Sequence, residues 1–254
     1  MIIMLAIIFF ALFIIVGGER GAISMIALIG NIAVFLISII AMSLGLPVIL
    51  ITIIACLFVN GTTLVYQNGK NKKTKAAVLS VVTVLAFLFP FTYWITKGMH
   101  IDGLNEIELL SDLKIYYSFN IKVNMEMVCI SMVIIGVLGA IMDTAVAVSS
   151  ALFEVHVNNP HLTDKELFHS GMSIGKDILG TTLNTLYFAY IGEALMLMLY
   201  MKKYNYSLMH FLNSEAFLQD FTCIVMSAVG CMIIIPFSAF ITSKIIKHEV
   251  DSTV

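Results

Sequence analysis

Seven apolar runs, most of them long enough to cross a hydrocarbon core of roughly 30 Å, dominate this chain. They cover about residues 1–17, 22–44, 47–65, 76–96, 127–150, 178–201 and 221–243. In lipid such a run satisfies its own backbone hydrogen bonds only as a helix. The expected fold is therefore an all-α membrane protein, a single transmembrane domain over 1–254 built as a polytopic bundle of about seven transmembrane helices. Composition agrees: 60% of residues are hydrophobic and 12% charged, roughly half the charged share of a soluble domain. Gly17-Gly18-Glu19-Arg20 follows the first run with no basic region before it and no small-residue cleavage site. Residues 1–17 thus read as a retained helix and not as a signal peptide.

Orientation follows from lysine and arginine. The loop 66–75 carries Lys70, Lys72, Lys73 and Lys75 and is placed in the cytoplasm. Counting from there puts the N-terminus out and the C-terminus in, with nine basic residues inside and five outside; Lys202-Lys203 is the exception. Two connections are long. The outer loop 97–125 has mixed charge and Tyr116-Tyr117. The inner loop 155–177 contains Leu162-Thr163-Asp164-Lys165-Glu166-Leu167, a capping-box start with Thr163 as cap and Glu166 as its reciprocal partner. A short amphipathic helix is expected there, ahead of the sixth span. Pro90 and Pro236 fall inside spans and are expected to kink or break them. Gly61-Thr62-Thr63-Leu64 recurs as Gly180-Thr181-Thr182-Leu183, a faint internal echo.

The charges left inside the apolar runs are the candidates for function. Asp143 is the only charge between Glu126 and Glu154. On a helix it shares a small polar face with Gly139, Ala147, Ser150 and Glu154. It is either a cation, proton or substrate site, or an acid at the cytosolic end of a helix that protrudes from the membrane. Asp177 and Asn184 share a face of the sixth span, where Asp177 suits a helix N-terminus and Asn184 either lines a path or makes an interhelical hydrogen bond. Glu193 is the only charge between Ile178 and Met201; it marks a second depth of one pathway or snorkels outward. Gly171 and Gly175 have the spacing of a helix-packing pair. The four cysteines lack zinc or disulfide spacing and read as apolar packing residues. His156, His161 and His169 lack a compact ligand pattern, so no metal or cofactor is expected. Nucleotide-loop, zinc-protease and nucleophile-elbow motifs are missing. An enzyme is therefore not expected, and nothing points to nucleic acid.

The string from Gly139-Ala-Ile-Met-Asp143-Thr-Ala through Ser150, Glu154 and Asn159-Pro160, followed by Ser170-Gly171 to Lys176-Asp177, Gly180-Thr181, Asn184 and Ala189-Tyr190-Ile-Gly192, resembles the YibE/F family of bacterial polytopic membrane proteins. Arg20-Gly21-Ala22 and Thr74-Lys75-Ala76-Ala77 fit the same pattern. The resemblance spans most of the chain and is closer to the shorter, YibF-like member, which lacks a large extra outer domain. It implies a multi-pass protein of a bacterial plasma membrane, with the bilayer and a related family member, in a homo- or hetero-oligomer, as partners. It carries over no substrate and no catalytic residue. The leading expectation is a transport subunit, a permease or efflux component for a small molecule or ion. Asp143, Asn184 and Glu193 would line or gate its path, with Asp177, Ser150 and Glu154 near its inner mouth. The alternative is a non-transporting partner or scaffold subunit of a larger complex.

Overall fold

A computed structural model describes residues 1–99, 101, 123–203 and 205–248. Among them the chain is helical and contains no strand. The elements are α1 (Ile2–Ser43), α2 (Val48–Asn60) continued by a π-helical segment (Gly61–Tyr66), α3 (Lys72–Gly98), α4 (Met125–Asn158), α5 (Asp164–Lys203), the short α6 (Leu208–Leu212) and α7 (Glu215–His248). Six helices are long and apolar enough to cross a membrane.

The first of these six combines the first two apolar runs. A straight helix of its 42 residues would measure roughly 63 Å, about twice the hydrocarbon core. It does not run straight. Gly18 leaves helical geometry at φ 56°, ψ −137°, a region open to glycine and strained for other residues. A Cβ placed on Gly21 would collide with the carbonyl oxygen of Phe13. Residues eight apart in a continuous helix are separated by roughly 12 Å, so the chain folds back sharply at Gly18.

Cross-helix contacts fix the directions of the rest. Asn31 binds Thr63 (2.9 Å) and Ser24 binds Gln67 (2.6 Å), so α1 runs antiparallel to α2 and its π-helical continuation. Gly230 of α7 packs against Leu88, Val137 and Ile141, while Thr222 meets Met99 and Gln219 meets Met132. Thus α3 is antiparallel to α7, and α4 is parallel to it. Gly171 faces Ala239 and Gly175 faces Ile235, which sets α5 antiparallel to α7. Each consecutive long helix therefore reverses direction.

The core is α3, α4 and α7, with Val84, Leu88, Val133, Val137, Ile141, Met226 and Ile234 buried together. Helix α5 lies against one side of it, over Val148, Ile235 and Ala239, and α1 is peripheral. Four cysteines are free, three of them buried.

Several expectations need correction. Helix α4 continues past residue 150 to Asn158, and the inner loop shrinks to 159–163. The capping box forms as read: the Glu166 carboxylate accepts from the Thr163 N–H and hydroxyl, both at 2.8 Å. The helix it starts is not short, however. It runs unbroken into the sixth span as α5, 40 residues in all, because no proline or helix-breaking turn separates the two. Helices α3 and α7 likewise continue through Pro90 and Pro236. The two Gly-Thr-Thr-Leu strings differ in structure: Gly61–Leu64 lies in the π-helical segment, with Thr62 and Thr63 bonded to Asn31, whereas Gly180–Leu183 is plain α-helix. Most of the outer loop 97–125, including Tyr116-Tyr117, lies outside the described residues.

Losing the Thr163 cap should lower stability by about 1 kcal/mol. Thr163→Ala is expected to lower the unfolding midpoint of the purified protein in detergent, while Thr163→Ser should hold it.

Candidate functional site

The shared face of α4 exists as read, but it is open. Gly139, Asp143 and Glu154 are exposed and Ala147 and Ser150 half-buried, while Ile141, Met142, Thr144 and Ala145 on the other sides of the same turns are buried. The reason lies in the packing. Helix α2 approaches α4 through Thr52 and Ser131, hydrogen-bonded at 2.7 Å. Helix α7 approaches from the opposite side, through Thr144 and Cys231, and α5 approaches through Tyr190, whose hydroxyl lies 3.4 Å from where a Cβ on Gly136 would stand. The strip bearing Gly139 and Asp143 falls between α2 and α5, and nothing lies within 4 Å of a Cβ built on Gly139.

Asp177, Asn184 and Glu193 are all exposed on α5. Asp177 and Asn184 lie on the side turned away from the residues that meet α7, namely Gly171 and Gly175. Glu193 lies nearer the core helices, within electrostatic range of Asp220 on α7 and of Tyr190. Asp143 lies within range of Cys231. Eleven residues of α7 separate Cys231 from Asp220, which puts the two carboxylate levels roughly 16 Å apart. Neither Asp143 nor Glu193 lines the cavities found at the two ends of the bundle. Ser150 does line one, a small cavity at the lysine-bearing end.

Other polar groups escaped the sequence reading. Asp220 stands just outside the seventh apolar run, yet it sits in the first turns of α7 facing Glu193. A seam of hydroxyls joins α4 to α7: Ser149 and Ser238 at 3.0 Å, Thr242 donating to Ser149 at 3.2 Å, and Ser238 donating to the Ala145 carbonyl at 3.3 Å. Thr144 donates to the Cys231 sulfur at 3.6 Å. These bonds hold two apolar helices in register, in the manner of polar contacts inside membranes. Their signal in sequence was the hydroxyls of Thr144 and Ser149 on one run and of Ser238 and Thr242 on another, which carry no charge to attract notice.

The arrangement of six long apolar helices around a core of α3, α4 and α7 defines a polytopic helical membrane protein. The model of the YibE/F-like proteins matches residues 5–248, and the chain belongs to that family. No curated protein and no solved structure matches it.

Proposed function

We propose that the protein is a subunit of a membrane transport system in the plasma membrane of a bacterium, moving a small cation or a protonatable solute. It crosses the bilayer seven times, with the N-terminus out and the C-terminus in. The break at Gly18 supports the seventh crossing, and alternating helix directions bring Arg20, the four lysines of 70–75, Lys165 and Lys244 to one end of the bundle.

One observation carries this reading. Asp143, in the middle of a 34-residue apolar helix, lies on a strip of α4 that no other helix among the described residues covers. A carboxylate left against lipid is costly, so such a residue faces water or a polar partner. The path is then completed between this chain and another one seated beside α4. The second reading, a scaffold subunit without transport, draws on the same open face, with Asp143 as a docking contact. No catalytic residue, metal or cofactor is assigned in either.

The test is a deletion strain screened for growth across toxic compounds and metabolites, then complemented with wild type or Asp143→Asn. The substitution preserves size and removes the charge. It should abolish complementation at unchanged expression. Complementation equal to wild type sinks the role given to Asp143, and loss of a co-purifying partner without a change in solute flux favours the scaffold.

A further inference from the structure

The small cavity at the lysine-bearing end has a makeup that the transport reading does not use. It measures about 10 Å³ and is lined by Leu64 and Asn68 after α2, by Lys73, Thr74 and Ala77 at the start of α3, and by Val146 and Ser150 of α4. That is room for one water-sized group. Thr74 is 4% exposed, and its hydroxyl has no hydrogen-bond partner. Farther along the same helix Ser80 and Thr83 donate to carbonyls four residues back. Thr74 cannot, because four residues back is Lys70, which precedes the helix.

The chemistry around this hydroxyl is that of a donor set. The side chain of Asn71, at the N-cap of this 27-residue helix, makes no capping hydrogen bond. Such a terminus carries partial positive charge and suits an anion. Lys73 lines the cavity, and Lys70, Lys72 and Lys75 stand nearby in sequence. The one nearby opposing charge on α4 is Glu154, exposed one turn beyond Ser150. The wall opposite α3 follows a π-helical segment, an irregularity frequent at functional sites.

We propose that the N-terminus of α3 binds a phosphate-type oxyanion, one oxygen seated in the cavity against the Thr74 hydroxyl and the remainder held at its mouth by Lys73. The same chemistry serves a free phosphate ion and the phosphodiester of an anionic lipid headgroup, and it is independent of what Asp143 does.

The experiment uses the purified full chain in two settings. In detergent it is titrated with inorganic phosphate. In nanodiscs, phosphatidylglycerol is compared with phosphatidylcholine alone, and the unfolding midpoint is read in each. A rise with phosphate identifies the free ion, and a rise confined to phosphatidylglycerol identifies the headgroup. Thr74→Val should weaken the response by at least about tenfold, the loss expected for a hydrogen bond to a charged group. Thr74→Ser should retain it, and so should Lys75→Gln, which removes an exposed charge that does not line the cavity. If Thr74→Val does not accumulate, Lys73→Gln carries the same expectation. The proposal is overturned if the midpoint rises in neither setting, if Thr74→Val responds like wild type, or if Lys75→Gln weakens the response as much as Lys73→Gln. In those cases the cavity holds a water and nothing more.

Discussion

Gly175→Leu is expected to eliminate the folded protein. Gly175 is buried where α5 crosses α7, and a Cβ at that position would collide with the side chain of Ile235. One turn earlier, a Cβ on Gly171 would sit 2.8 Å from the Ala239 Cβ and 3.3 Å from Leu152. Neither helix can easily give way, because α7 is held to α4 by the Ser149–Ser238–Thr242 contacts on another side. Adding a branched side chain there costs about 3 kcal/mol or more through overpacking and separation of the helices. Gly180→Leu is the control. Gly180 is exposed, nothing lies within 4 Å of its Cβ, and the substitution should leave the protein intact. Size-exclusion chromatography of the tagged protein before and after heating distinguishes the two. A monodisperse, wild-type-like Gly175→Leu would mean that α5 does not pack on α7 as described.

Gly139→Leu should behave in the opposite way, with little effect on the chain alone and a large one on its activity. The position is exposed, with empty space where the side chain would grow. Leucine is also the better helix former, by under about 1 kcal/mol. The midpoint of the purified chain should therefore hold or rise. If another chain seats against the strip that bears Asp143, four residues on, the added isobutyl group holds the two helices apart, and complementation of the deletion strain should fall at least tenfold. Close approach across small residues is how helices associate in membranes, so bulk at this point is harmful only when something lies opposite. Full complementation by Gly139→Leu would leave the strip facing lipid or water, and the assembly reading would fail.

These two glycines show how far the sequence could be read. Both stood out by their spacing, and so did the reversal at Gly17-Gly18, the capping box at Thr163 and the shared face of Asp143. Each rests on local chemistry or helical period, which a single chain displays. Which side of a helix is covered depends on packing between distant segments. For Gly175 the small-residue pattern met a neighbour; for Gly139 a similar pattern met none. Asp220 escaped notice because the seventh apolar run begins one residue after it, although α7 begins five residues before it. The unpartnered hydroxyl of Thr74 was invisible for a related reason, since threonine at a helix start is ordinary until the surrounding walls are known. At Pro90 and Pro236 the helices do not break, because a helix packed on several sides tolerates the loss of one backbone hydrogen bond.

The reversal at Gly18 also bears on how the molecule comes apart. Residues 11–20 are all exposed, and the rings of Phe9, Phe10 and Phe13 touch one another and not the core. Among the described residues the segment before Gly18 is therefore tethered chiefly to the helix that follows it, while α3, α4 and α7 share a common interior. Stability is graded along the chain: the leading segment opens at little expense, and the central trio opens last, in one cooperative step. That grading leaves the outermost helix free to exchange neighbours in the bilayer while the remainder keeps its shape.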